Sequence, residues 1–210
     1  MKFPDFSFEM PLIEEGYMPV GIDEVGRGAF AGPVGVGGAI FKNLSGSDMN
    51  QLLKLGINDS KLLTVKKREE LAKILKEICF FEISFIDVAT INEIGVGKAT
   101  FLGMQEVYKN LKLKTKNSKL FALVDGFPVP GILDQRGIIR GDTLSISIAS
   151  ASIIAKVERD RLMEELSKTN PNYGFEAHKG YGTALHRANI RKFGLSREHR
   201  KDFCARTIGF

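Results

Sequence analysis

The octet GIDEVGRG at residues 21–28 is the feature that most constrains this chain. It places two adjacent carboxylates, Asp23 and Glu24, at the end of a short apolar run and directly before a Gly-Arg-Gly turn. Adjacent carboxylates repel each other and resist burial unless a cation or hydrogen-bond donors offset the cost. The glycines let the backbone approach another molecule closely, and the planar arginine fork suits a phosphate. The octet therefore predicts metal-dependent chemistry on a phosphodiester.

Composition and chain organisation are typical of one folded domain. The 210 residues are 43% hydrophobic and 26% charged, without a repeat, a low-complexity run or a linker, so we expect a single domain over 1–210. No apolar stretch approaches the roughly 20 residues of a membrane span, and the first residues lack the basic-then-apolar order of a signal peptide. We expect a cytoplasmic monomer without membrane contact. Cys79 and Cys204 form no CxxC pair, which predicts two buried, reduced thiols.

The positive charge of the chain is concentrated near its C-terminal end. Residues 178–206 hold eight Lys or Arg against two acids, whereas the rest of the chain is nearly neutral. Such a patch attracts nucleic acid, with Arg191, Lys192 and Arg200 as candidate contacts, although a solvated basic helix without a partner is the alternative. The segment also holds all three histidines, whose spacing fits no standard zinc pattern. We expect these to be solvated residues of the basic face: His178, His186 and His199.

The hydrophobic pattern indicates alternating strands and helices, and hence an α/β domain with a mixed β-sheet. Two strands joined as a hairpin are expected at 20–25 and 34–41, and further strands at 81–88 and 120–124. Helices are expected at 64–78, 90–113, 145–167 and 183–193. Thr64 is predicted to cap the first of these helices and Thr90 to open the second with a capping box. The Ser/Ala-rich first half of the third helix should let it lie very close to the sheet.

Two further acids are candidates to join Asp23 and Glu24. Asp125 follows the apolar run of the 120–124 strand, and Asp142 precedes the Ser/Ala-rich helix. Each has a structural alternative, because Asp125-Gly126 is also a turn signal and Asp142 is also a plausible helix cap. Folding could bring the four acids together, but no spacing rule requires it.

At these residues the chain resembles the bacterial ribonuclease HII proteins of the ribonuclease H-like superfamily. The matching stretches run in order from residue 21 to about residue 203 and are GIDEVGRGAFAGPV, NDSK, LVDG, GD, SISIASASIIAKVERDRL, HKGYGT and EHRKDF. The resemblance implies a ribonuclease H-like fold, in which a central mixed sheet is flanked by helices. It also implies that residues 178–210 form a basic, helical, substrate-binding segment.

The resemblance implies roles for particular residues as well. Asp23, Glu24, Asp125 and Asp142 match the four catalytic acids that ligate Mg²⁺ or Mn²⁺, the ions that hard oxygen ligands favour. The implied activity is two-metal hydrolysis of RNA hybridised to DNA, and of single ribonucleotides in duplex DNA on their 5′ side, leaving a 3′-hydroxyl and a 5′-phosphate.

The remaining matches concern substrate recognition. The turn Gly26, Arg27 and Gly28 would meet the 2′-hydroxyl with backbone groups, and Tyr181 would pack on the sugar beside the ribonucleotide. Lys61 would contact a phosphate. By itself, Tyr181 would be an ordinary half-buried tyrosine and Lys61 a surface lysine.

The chain departs from the family pattern at three positions, and two other functions stay open. The departures are Leu62, Phe127 and Asp202, and they concern the phosphate contacts near Lys61 and the path of DNA over the C-terminal segment. One alternative is a ribonuclease HIII-like hybrid nuclease without junction preference. That relative typically carries an extra N-terminal domain, which we do not expect here because the octet begins at residue 21. The other is a non-catalytic nucleic-acid-binding protein, which four retained acids disfavour.

Overall fold

The computed structural model of the protein describes residues 3–44, 46–116 and 118–208. The β-strands are β1 Met18–Val25, β2 Val34–Phe41, β3 Cys79–Ile86, β4 Leu120–Asp125 and β5 Gln135–Ile138. The α-helices are α1 Glu9–Glu14, α2 Gly46–Lys54, α3 Val65–Ile78, α4 Val88–Ile94, α5 Val96–Lys114, α6 Ile146–Thr169, α7 Phe175–His178, α8 Ala184–Phe193 and α9 Lys201–Ile208. Residues 209 and 210, the end of the predicted basic segment 178–210, lie outside the described residues.

The five strands form one mixed sheet in the order β3-β2-β1-β4-β5. The first three strands are antiparallel, which confirms the predicted hairpin, whereas β1, β4 and β5 run parallel. β1 lies at the centre of this sheet and pairs with β2 on one side and β4 on the other. The predicted mixed α/β architecture is therefore confirmed, and the C-terminal ends of β1 and β4 lie side by side.

Helices cover both faces of the sheet and give each a separate hydrophobic core. One core joins α5 to the sheet through residues such as Ile22, Ile40 and Val107. The other joins α3 and α6 to the opposite face through residues such as Leu71 and Ile153. Because successive strand residues point to opposite faces, Ile22 faces α5 and its neighbour Asp23 faces α6.

The close approach of α6 to the sheet follows from small residues on both sides. A Cβ added at Gly21 would lie 2.0 Å from the carbonyl carbon of Ser147, and one at Gly37 would lie 2.7 Å from the carbonyl oxygen of Ala151. Neither strand position therefore has room for a side chain. This confirms the prediction that the Ser/Ala-rich half of the helix lies against the sheet.

Most predicted elements are observed, but one expected helix is divided in two and the third strand is shifted by two residues. The helix expected over 90–113 is two helices, because Gly95 has a φ of +81°, a left-handed conformation that interrupts the helical path. The cap of α4 is Asp87, which accepts the Thr90 amide at 2.8 Å, rather than Thr90 itself. β3 begins two residues before the expected 81–88 strand. Thr64 does cap α3, as predicted.

Candidate active site

The pairing of two parallel strands brings three of the four predicted acids together. Ile22 of β1 is level with Val124 of β4, so the carboxylates that follow them reach the same end of the sheet. Oxygens of Asp23, Glu24 and Asp125 all lie within 4.8 Å of one another.

The fourth acid, Asp142, lies outside this group of three but adjoins it. It is in a short 3-10 turn, Gly141–Thr143, and the amide of Gly141 donates to Asp125 Oδ1 at 2.6 Å. Asp142 is buried, and its Oδ2 lies 3.4 Å from Lys61 Nζ. The alternative that Asp142 caps the next helix is wrong, because the side chain of Ser145 caps α6.

The surroundings of these acids oppose their negative charge. Burial raises the pKa of Asp23 well above its ordinary value, and the charges of Glu24 and Asp125 raise it further. Burial, together with Asp142, also raises the pKa of Asp125. Carboxylates held together in this way need a cation to be stable in the charged form. A divalent cation with a preference for oxygen ligands fits this group of side chains.

Two serines that the sequence interpretation did not single out support the acids. Ser152 of α6 forms a side-chain hydrogen bond with Asp23, which favours the charged carboxylate. The Ser152 hydroxyl also lies 3.0 Å from that of Ser60, and the Ser60 carbonyl accepts a 2.6 Å hydrogen bond from Arg68. The only available signal was the motif context of these serines, NDSK and SISIASAS, because a serine in a sequence does not show which residue it faces.

A cleft of about 650 Å³ opens beside the acids. Its lining includes residues of the Gly-Arg-Gly turn, two candidate recognition residues and several cations: Glu24, Gly26, Arg27, Gly28, Lys61, Arg68, Lys156 and Tyr181. The Lys61 side chain is 74% exposed although it contacts Asp142, so its ammonium group can also meet a solvent-side anion. Tyr181 is 37% exposed, and its ring centre lies 5.9 Å from Lys156 Nζ. The cleft therefore combines an acid, several cations and an aromatic face.

The Gly-Arg-Gly turn lies at the border of this cleft. Gly26 has a φ of +78°, and Gly28 has no neighbouring atom within 4 Å of the position of an added Cβ. The Arg27 side chain is 56% exposed and lies 3.9 Å from Glu24. Arg27 is thus available to a ligand, and the backbone at Gly28 is open to close approach.

The three histidines are buried, so the prediction that they are solvated is wrong. Tyr173 and Phe175 surround them, and their exposed fractions are 9% for His178, 0% for His186 and 1% for His199. The Nε2 atoms of His186 and His199 lie 3.1 Å apart, a distance that one shared N–H can bridge. Burial lowers the pKa of both rings to about 4. The prediction was wrong because the basic neighbours of the histidines indicated a solvent-exposed surface, whereas the aromatic residues that cover the rings come from other parts of the chain.

Arg200 also lies inside the protein and not on the surface expected to meet DNA. Its exposed fraction is 0%, whereas Arg191 and Lys192 on α8 are exposed. The three departures from the family pattern, Leu62, Phe127 and Asp202, are all exposed. Phe127 lies near the acids, in a small cavity of about 120 Å³ that Glu24 and Asp125 also line.

The two cysteines agree with the expectation from the sequence. Both thiols are free and buried, as predicted, and burial raises the pKa of Cys79 to about 12 and that of Cys204 to about 11. Over the described ranges, no helix combines the length and the apolar character needed to cross a membrane.

Comparisons with known proteins agree with this geometry. A family model described as Ribonuclease HII matches residues 20–208. A ribonuclease HII of Caldicellulosiruptor bescii is 42% identical over 201 residues, which cover 94% of this chain and 92% of that protein. A ribonuclease HII of Wolbachia pipientis subsp. Culex pipiens is 44% identical over 204 residues, with 97% of each covered.

Solved structures share the fold. The chain from the PCNA:RNase HII complex of Archaeoglobus fulgidus has a TM-score of 0.70 at 29% identity and covers 87% of this chain and 93% of that one. Bst-RNase HIII in complex with Mn²⁺ has a TM-score of 0.73 at 18% identity, with 92% and 71% covered, which supports the fold alone. The fold is therefore ribonuclease H-like, as the motifs implied. Since the family model spans most of the chain, this protein belongs to the ribonuclease HII family and is a ribonuclease H-type endonuclease.

Proposed function

We propose that this nuclease cuts the RNA strand of RNA/DNA hybrids and also cuts on the 5′ side of single ribonucleotides in duplex DNA. Each cut leaves a 3′-hydroxyl and a 5′-phosphate. The observation that carries the proposal is the position of the Gly-Arg-Gly turn, which continues directly from the acid cluster into the cleft. Groups suited to cleavage and groups suited to recognition of a sugar thus face one bound strand.

The acids are assigned to metal binding. Asp23, Glu24 and Asp125, with Asp142 beside them, would hold Mg²⁺ or Mn²⁺, because clustered buried carboxylates favour hard divalent cations. A pair of such ions held by these carboxylates would supply activation of the attacking water and stabilisation of the leaving oxygen. Ser152 keeps the Asp23 carboxylate oriented toward the site through its hydrogen bond. The Gly141 amide does the same for Asp125.

The cleft residues are assigned to substrate recognition. Backbone groups of Gly26, Arg27 and Gly28 would meet the ribose 2′-hydroxyl, the group that distinguishes RNA from DNA. Tyr181 would pack its exposed ring on the neighbouring sugar. Lys61 would meet a phosphate with the side of its ammonium group that faces solvent.

The C-terminal segment is assigned to binding of the duplex. Its exposed cations, including Arg191, Lys192 and Arg197, would contact backbone phosphates without reading sequence. The apolar side chains of this segment pack with Phe30 and Met163 in one cluster, which ties the segment to the turn region and to α6. We propose that the chain works as one catalytic domain, as a monomer in the cytoplasm, with roles in ribonucleotide removal and primer clearance.

A duplex with one embedded ribonucleotide, incubated with Mg²⁺ or Mn²⁺, tests the proposal. We expect cleavage on the 5′ side of the ribonucleotide and no cleavage of an all-DNA duplex of the same sequence. Cleavage restricted to long RNA tracts would favour a hybrid nuclease without junction preference. Binding without any cleavage would contradict the assignment of the four acids.

A further inference from the structure

Two fully buried guanidinium groups lie beneath the loop that contains the Gly-Arg-Gly turn. Arg159 of α6 and Arg200, just before α9, are both 0% exposed. A buried charge is ordinarily paired with an opposite charge. Among the described residues no carboxylate forms a salt bridge with either group, and the adjacent Asp160 pairs with Lys156 and Arg68 instead. Burial lowers the pKa of both arginines, that of Arg200 to about 9. The guanidinium group of arginine stays charged in proteins at neutral pH.

Backbone carbonyl groups offset this buried charge. Arg159 donates to three carbonyl oxygens, at 3.0 Å, 3.0 Å and 3.3 Å: Pro33, Lys179 and Ala31. Arg200 donates from Nε to Gly32 at 3.0 Å and from Nη1 to Arg27 at 2.9 Å. Four of the five acceptors belong to the loop that follows β1. The two cations therefore hold the carbonyls of this loop toward the interior.

The planar peptide bond between Arg27 and Gly28 fixes the direction of the Gly28 amide relative to the cleft. In a trans peptide the N–H points opposite to the carbonyl of the preceding residue. Because the Arg27 carbonyl points inward to Arg200, the Gly28 amide points outward, where an added Cβ would meet nothing within 4 Å. In the described part of the chain, the amides of Gly26, Arg27 and Gly28 donate to no protein acceptor, whereas those of the next four residues all do. The turn thus presents free donors at the cleft.

The second candidate recognition group rests on the same guanidinium layer. Arg159 holds the Lys179 carbonyl, and its Cζ lies 5.7 Å from the ring centre of Tyr181. A Cβ added at Gly26 would lie 2.0 Å from Arg159 Nε, so the turn lies directly on this side chain. The turn and Tyr181 therefore keep their relative position through Arg159.

We propose that Arg159 and Arg200 are positioning residues that set how well the nuclease distinguishes ribose from deoxyribose. They fix the turn with the Gly28 amide toward the cleft, although both are themselves fully buried. The inference rests on the proposed function, which assigns recognition of the 2′-hydroxyl to this turn. A lysine at either position keeps the charge but cannot reach the spread carbonyls with a planar fork.

The test compares the affinities of the wild-type protein and of Arg200→Lys and Arg159→Lys variants for two duplexes. One duplex contains a single ribonucleotide and the other is all DNA. Ca²⁺ takes the place of Mg²⁺ in both measurements, and a gel confirms that the substrate stays intact. We expect the ratio of the two affinities to fall roughly three- to tenfold in each variant, which corresponds to one lost hydrogen bond. Affinity for the all-DNA duplex should change less than twofold. Because both variants are measured, the inference can still be tested with one of them if the other does not fold.

A matched control separates positioning from general stability. Phe175→Leu removes packing from the cluster that contains Phe30 and Met163 but breaks no hydrogen bond to the loop. We expect it to lower the melting temperature and to keep the wild-type affinity ratio. An unchanged ratio in the folded lysine variants, or an equal loss in Phe175→Leu, would overturn the inference while leaving the proposed function intact. A wild-type ratio near one would overturn both.

Discussion

At the scale of single residues, Asp23 is the acid whose surroundings most oppose a charge. We expect Asp23→Asn to lower the cleavage rate with Mg²⁺ or Mn²⁺ roughly a thousandfold. Because burial, Glu24 and Asp125 all raise the pKa of Asp23, the metal-free variant should be at least as stable as the wild type at pH 7. A cleavage assay measures the rate. Thermal unfolding without and with Mn²⁺ measures the stability of the variant and the stabilisation by the ion, which should be smaller in the variant than in the wild type. Glu165→Gln, at an exposed position of α6, is the control, and a normal rate in Asp23→Asn would remove Asp23 from the metal site.

The buried histidines predict how stability depends on pH. The folded pKa of His186 and His199 is about 4 against an ordinary 6.5, so the unfolded chain takes up protons first as the pH falls. Their contribution is complete above about pH 6.5 and is lost as the pH falls toward 4, on the order of 3 kcal/mol for each ring. We expect the difference in unfolding free energy between wild type and a His186→Gln/His199→Gln variant to shrink over this range in urea titrations.

A control for the histidine experiment lies in the same cluster. Tyr173→Phe removes a 3.1 Å hydrogen bond to the Gly194 carbonyl and leaves His186 and His199 in place. Its difference from the wild type should not depend on pH in this range. If the unfolding free energy of the double histidine variant also differs from that of the wild type by an amount that does not depend on pH, the assignment of His186 and His199 as buried neutral rings is wrong.

At the scale of elements, the contact between β1 and α6 places the acids beside the serines that support them. Gly21→Ala would bring a methyl group to within 2.0 Å of the Ser147 backbone, so we expect a loss of about 3 kcal/mol in unfolding free energy. Gly28→Ala is the matched control, because its Cβ would meet nothing within 4 Å and its stability should stay near that of the wild type. Denaturant unfolding of both variants measures this difference. Equal stabilities would mean that α6 can move away from the sheet at little cost.

At the scale of the whole molecule, positive charge is concentrated in the segment that follows α7. We expect Arg191→Ala/Lys192→Ala to weaken duplex binding and to reduce the slope of log affinity against log salt by about 1 to 2, since each phosphate contact contributes about 0.9. The control is Lys109→Ala/Lys112→Ala on α5, whose C-terminal end leads toward the start of β4, the end opposite Asp125. Its slope should match that of the wild type. An unchanged slope in the α8 variant would place the duplex on another face.

Much of the site could be predicted because its residues are local in the sequence. Asp23 and Glu24 are adjacent to the turn, and Asp125 ends a strongly apolar strand, so pattern and motif alone indicated them. Thr64 and the Ser/Ala-rich helix were recognised for the same reason, since caps and small-residue faces are features of short segments. The break at Gly95 was missed because a single glycine is compatible with either a continuous or a divided helix until its φ is known.

Other features depend on contacts between distant parts of the chain. Arg200 and the three histidines have the same chemistry as surface residues of a basic segment, and nothing near them in sequence distinguishes a buried arginine from an exposed one. Their burial is decided by Phe30, Tyr173 and the carbonyls of the loop after β1, which packing brings to them.

By itself, the sequence determined the acids, the turn and the alternation of strands and helices, because propensity, charge and motif act over a few residues. The tertiary structure alone decided which cations are exposed and which are buried beneath the turn, because that choice depends on desolvation and on hydrogen bonds between segments more than a hundred residues apart.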